Sequence, residues 1–121
     1  MAMLKVVARA VLGALFLLAG IGHLVRPGVF VRIVPPYLPW PLALVYVSGL
    51  CEIGLGALLL VPRYAAPAGW GLIALLIAVF PANVYMATHA GLFPRISPAA
   101  LWARLPLQGV LIAWAFWMTR P

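Results

Sequence analysis

The sequence predicts an all-α integral membrane protein: a four-helix bundle running up-down-up-down, with a proline-rich interfacial segment between helices 1 and 2. Three observations carry that prediction. Of the 121 residues, 67% are hydrophobic and only 7% are charged, whereas a soluble domain carries about 25% charged residues and needs them to cover its surface. The apolar residues fall into four runs, each near the roughly 20 residues that a spanning helix requires. Short, turn-rich connections separate the runs. The chain therefore reads as a single domain, 1–121, with no room for a separate catalytic module.

The first span is expected over residues 6–25. Lys5 and Arg9 precede an apolar run at 10–21, which resembles the start of a signal peptide. No small-x-small cleavage site leads into a soluble sequence, so the expectation is an uncleaved first span. Arg26-Pro27 ends it. The segment 27–41 holds five of the twelve prolines and cannot form a continuous helix. Residues 28–34 are expected to make two turns in the interface, with Phe30, Ile33 and Val34 towards lipid and Arg32 towards headgroups. Tyr37, Trp40 and Pro41 lead into the second span, 42–61, which stops at Pro62-Arg63. A turn through Tyr64 and Pro67 leads to the third span, 68–88. That turn is short, so the second and third spans should be antiparallel neighbours. A loop with Gly91, Pro94, Arg95 and Pro98 precedes the last span, 99–119.

Aromatic and basic residues test this layout. Trp and Tyr favour the two membrane interfaces. Tyr37, Trp40, Tyr85 and Trp102 fall at the end away from the termini; Tyr64, Trp70 and Trp117 fall at the end that holds them. Four alternating spans require two such belts. The formal net charge of +7 arises from eight scattered basic residues and one acid, Glu52. No basic run exists to suggest a nucleic-acid partner, so the cations read as headgroup contacts and the expected partners are membrane lipids. Cations tie between the two ends, four each, until Arg104 is treated as an intramembrane residue. The remaining balance places both termini on one side, the cytoplasmic one. Cys51 is the only cysteine, which excludes an internal disulfide, a CxxC pair and a multi-cysteine metal site.

Polar side chains inside spans are expensive and usually face the bundle interior. Here they are His23, Glu52, Asn83, Arg104 and Gln108. At about 1.5 Å of rise per residue, all five fall in the half of the membrane distal to the termini. Ser48, Glu52 and Gly56 make one stripe on the second span, and Arg104, Gln108 and Ile112 make another on the fourth. Gly49, Gly54 and Gly56 offer close helix approach around Glu52. Pro81 leaves the carbonyl of Ile77 without its helical donor, and Pro106 does the same for Trp102. Two readings stand side by side. His23, Ser48, Glu52, Asn83, Arg104 and Gln108 form a ligand pocket, covered by an apolar lid of Phe30, Tyr37 and Trp40. Alternatively they are structural: a Glu52–Arg104 ion pair, amide glue from Asn83 and Gln108, a helix-end His23 and a packed Cys51. No second His or Cys shares the face of His23, so no metal site is expected.

The stretches GIGHLVRPGVFVRIVPPYLPWP, VSGLCEIGLGALLL, VFPANVYMA and RLPLQGVLIAW, in that order, resemble the DoxX-like family of small four-helix membrane proteins. The resemblance spans residues 23–114. It implies a four-helix membrane bundle in a bacterial inner membrane. It also sets His23, Glu52, Asn83, Arg104 and Gln108 at the family's characteristic polar positions. It does not imply one activity: members include subunits linked to thiosulfate:quinone oxidoreduction, companions of membrane redox systems and distant assembly chaperones.

Three functions follow as expectations. The first is a non-enzymatic accessory or assembly subunit of a larger membrane complex, partnered by other membrane subunits or by itself; the absence of a nucleophile–base pair or cofactor motif favours it. The second is a redox subunit whose polar cluster binds a quinone or another lipid-like ligand, with His23, Arg104 and Gln108 on the carbonyls and Glu52 relaying a proton. The third is an oligomeric proton-coupled transporter, disfavoured because four helices leave little room for a pore.

Overall fold

Each long apolar run becomes a helix, and proline sets most of the boundaries. α1 covers Ala2–Val25 and ends where Pro27 forces its predecessor, Arg26, out of helical geometry, at φ −129° and ψ 63°. α2 is Pro27–Val31, α3 Pro41–Leu59, α4 Ala65–Thr88 and α5 Pro98–Met118. Proline opens α2, α3 and α5 at positions where its missing N–H has no helical partner to lose. Ser97 caps α5, its Oγ accepting from the backbone N–H of Ala100 at 3.2 Å. This computed structural model describes residues 2–94 and 96–120. Arg95, expected in the loop before the last span, lies outside them.

Among the described residues there is no strand, and α1, α3, α4 and α5 are long and apolar enough to cross a membrane. The chain is an integral membrane protein built as an all-α four-helix bundle. Several expected boundaries move: α1 begins at Ala2 rather than residue 6, and α3 ends at Leu59 rather than 61. α4 begins at Ala65 rather than residue 68, because Pro67 sits in its first turn, where amides lack acceptors anyway. The interfacial helix is shorter than expected and turned over. Only Pro27–Val31 is helical, and Phe30, Ile33 and Val34 line cavities in the bundle instead of facing lipid. Arg32, assigned to headgroups, donates to the carbonyl of Leu92 at 3.3 Å and ties this loop to the one before α5.

The turn into α3 is strained. Trp40 has φ 51°, the one non-glycine residue with positive φ among those described. The left-handed region costs an L-residue roughly 1–2 kcal/mol. Pro39 and Pro41 on either side narrow the routes by which the chain can reverse. The Trp40 carbonyl then accepts from Leu44 N at 3.0 Å and starts the helix.

The helices pack as two pairs. α1 lies mainly on α3, and α4 on α5; α3 also meets α4, as expected of neighbours, while α1 and α5 touch sparsely. Glycine explains the first pair. A Cβ on Gly20 would stand 2.6 Å from the Gly49 carbonyl, and one on Gly56 would stand 2.9 Å from the Gly13 carbonyl. The two backbones are in direct contact along α1 and α3, at positions seven residues apart on each helix. Such contact requires residues without side chains. Gly54, expected to contribute, has open space beside it. Lys5 Nζ donates to the carbonyl of Arg120, so the start of α1 and the end of α5 meet at one end of the bundle.

Near that end Leu12, Phe16, Leu59, Leu72, Leu76 and Met118 form the main core. A smaller cluster of Met86, Ala87, Phe93 and Leu101 closes the distal end beneath the loops.

Candidate functional site

The glycine seam positions the first functional pair. A Cβ at Gly49 would lie 2.7 Å from the Cβ of His23, so the histidine crosses directly over α3. Its Nδ1 lies 2.7 Å from the carbonyl of Ala19, one turn earlier. A carbonyl only accepts, so Nδ1 bears a hydrogen and donates. That leaves Nε2 facing Glu52 Oε1 at 3.6 Å. Ser48, one turn before Glu52, has its hydroxyl 3.4 Å from the same carboxylate oxygen. Glu52 is only 8% exposed. The approach is close enough for an ion pair when the imidazole carries a second proton.

The Glu52–Arg104 ion pair expected from the two stripes does not form. Among the described residues, the ion pair within 4 Å is His23–Glu52. Arg104 is exposed and lines the cavity beside Glu52. Equal depth in the membrane did not bring the two side chains together. The glycine seam draws α1, not α5, tightly against α3, and His23 fills the space next to the acid.

On the opposite wall, Asn83 Nδ2 donates to Gln108 Oε1 at 2.7 Å. Gln108 Nε2 in turn donates to the backbone carbonyl of Leu76. This joins α4 to α5 one residue before the carbonyl that Pro81 leaves without its helical donor. Gln108 is 5% exposed, and both its oxygen and one N–H are committed within the protein. It is a structural bridge more than a free ligand donor.

All five intramembrane polar residues meet. His23, Glu52, Asn83, Arg104 and Gln108 line one cavity of about 220 Å³, together with apolar groups of α4 and α5. A second cavity of about 270 Å³ lies against it, walled by Ile33, Val34, Pro35, Leu38, Val45 and Leu75, with Ser48 at its edge. His23, Phe30, Ile33, Val79 and Ala82 border both. Among these, His23 and Phe30 stack their rings, with centroids 3.8 Å apart and planes 19° from parallel. The site is thus two-sided: polar on one flank, apolar on the other, with an aromatic pair bordering both.

The lid differs from expectation. Phe30 is in place, but Tyr37 and Trp40 are 72% and 76% exposed and line neither cavity. Ile33, Val34, Pro35 and Leu38 supply the wall instead. Alternation of prolines with aliphatic residues gave no signal to choose them, because in a segment without helical or strand period the sequence does not say which side faces in. Cys51, expected to be packed, is exposed and borders the apolar cavity.

No curated protein and no solved structure matches the chain. Residues 12–119, nearly its whole length, match the family model described as a domain of unknown function (DUF8561), and the chain belongs to that family.

Proposed function

We propose that this protein is a small membrane subunit whose distal half binds an amphiphilic molecule of the quinone class. One observation carries the reading: the polar and apolar cavities share a wall that includes the His23–Phe30 stack. A pocket that suits an amphiphile has an apolar body and a few convergent polar groups. Arg104, exposed to the polar cavity and without hydrogen-bond or ion-pair partners among the described residues, offers its donors to a carbonyl oxygen. The His23 ring, held by the Ala19 carbonyl and by Glu52, stands beside it as a fixed wall of the same cavity. The apolar cavity takes a ring substituent or the start of a prenyl tail.

Titration of a quinone analogue into the purified protein tests it. Saturable binding is expected, weakened by Arg104→Gln and by His23→Ala with the fold intact. Absence of saturable binding in the unmutated protein removes the proposal.

The accessory-subunit reading is favoured by a different observation: α1 and α5 meet sparsely, a seam whose two helices expose Val7, Val11 and Val110. A subunit that assembles through that seam copurifies with a partner and loses it when α1 or α5 surface residues are changed, whether or not a ligand is present. We also propose that the shared end of the two termini is cytoplasmic, because Lys5, Arg9, Arg63 and Arg120 gather there. Single cysteines at Gly91 and Arg120, in a Cys51→Ser background, should label from the outer and the cytoplasmic side respectively.

A further inference from the structure

At the end opposite the pocket, the sparse contact between α1 and α5 opens a cleft of about 460 Å³. Its floor is Ala65, Ala66 and Met118, and its rim carries Lys5, Arg9 and Arg120. Lys5 and Arg9 are one helical turn apart and so share a face of α1. The Lys5 ammonium donates to the Arg120 carbonyl, which fixes the end of α5 across the cleft. The Arg120 guanidinium lies over the Phe116 ring, 4.7 Å from its centroid. The guanidinium makes no hydrogen bond or ion pair among the described residues, so its N–H groups are left for another acceptor. Arg9 makes no hydrogen bond or ion pair among the described residues, and the only acidic side chain of the chain, Glu52, lies in the other half of the bundle. Trp70, Tyr64 and Trp117 are all exposed around this end, the level at which such rings meet lipid headgroups.

From this geometry we infer a binding site for the phosphodiester of an anionic phospholipid, held between Arg9 and Arg120 over the apolar Ala65, Ala66 and Met118. Forked guanidinium donors suit phosphate oxygens. The apolar lining and the exposed Trp70, Tyr64 and Trp117 around it suit a lipid better than a free inorganic ion. The site is independent of the distal pocket.

Arg63 supplies the control. It stands at the same end but stacks over Tyr64, 5.2 Å from the ring centroid, and takes no part in the cleft. A diffuse attraction of basic residues for an anionic surface would depend on Arg63 as much as on Arg9. The test is native mass spectrometry of the full chain in mixed micelles, as phosphatidylglycerol is titrated against phosphatidylcholine. One phosphatidylglycerol per chain is expected to survive in the unmutated protein. Arg9→Gln and Arg120→Gln should each weaken its retention about fivefold, Arg9→Lys should fall between Arg9→Gln and the unmutated protein because it keeps the charge and loses the fork, and Arg63→Gln should leave it unchanged. Circular dichroism of each variant verifies that the helices persist. Equal loss with Arg63→Gln, equal retention of phosphatidylcholine, or displacement of the lipid by millimolar inorganic phosphate would each overturn the assignment.

Discussion

The two halves of this bundle solve the same problem in opposite ways. Near the termini, α1, α3, α4 and α5 meet through Leu12, Leu59, Leu72 and Met118, a dry core with apolar groups interdigitated. In the distal half the same helices carry His23, Glu52, Asn83 and Gln108 inward and leave two adjoining cavities. Lipid tails are as apolar as Leu, so the dry half gains from close packing and not from exclusion of water. The polar half gains from hydrogen bonds that have no other partner in hydrocarbon. It keeps empty space that packing alone would have filled. The difference assigns the halves separate work: one holds the helices together, the other is shaped for something else.

The largest effects should come from the seam that both halves share. Gly20→Leu and Gly56→Leu drive a side chain into a facing backbone carbonyl that cannot yield. Each is expected to cost more than about 3 kcal/mol, read as unfolding at lower dodecyl sulfate in mixed micelles. Gly54→Leu, on the same helix with open space beside it, should change stability by less than about 0.5 kcal/mol. If Gly56→Leu spared the fold, the dry half would not be the scaffold.

The next effect separates the two candidate partners of Glu52. Glu52→Gln should destabilise by about 3 kcal/mol, because it leaves His23 without its buried counter-group. A double-mutant cycle with His23→Gln should show strong coupling. The same cycle with Arg104→Gln should show little, since Arg104 is exposed and lies outside the pair. Coupling to Arg104 alone would reverse the assignment of the site.

Gln108→Leu tests whether the amide bridge is glue or ligand donor. It removes the bonds to Asn83 and to the Leu76 carbonyl. A loss of about 1–2 kcal/mol is expected, part of it recovered by Asn83→Leu in the same chain. A variant of unchanged stability that no longer bound a quinone analogue would instead make Gln108 a ligand contact.

The smallest effect belongs to the dry half. Trp114, packed against the main core, buries its indole Nε1 without a hydrogen-bond partner among the described residues. Trp114→Phe keeps the ring and discards that donor, so stability should rise or stay within about 1 kcal/mol. A clear loss would mean that the packed volume of the indole outweighs its unmet N–H.

Much of this architecture was legible in the residues. Apolar run length sets the four spans, since an unpaired backbone amide is too costly in hydrocarbon for any open alternative. Prolines 27, 41 and 98 mark helix starts. The depth of His23, Glu52, Asn83, Arg104 and Gln108 put them in one half, and they do line one cavity. Depth is a one-dimensional quantity, however, and partner choice is not. Arg104 and Glu52 share a level, yet the acid meets His23, because Gly20 and Gly49 bring α1 within backbone contact of α3. Which face of the proline-rich loop turns inward was equally beyond reach. Phe30 stacks on His23, while Trp40 is exposed. The sequence by itself thus determined how many times the chain crosses and at what depth its polar groups lie, because hydrocarbon penalises each residue separately. Only the tertiary structure decided which of those groups touch, because that depends on which pair of helices can approach most closely.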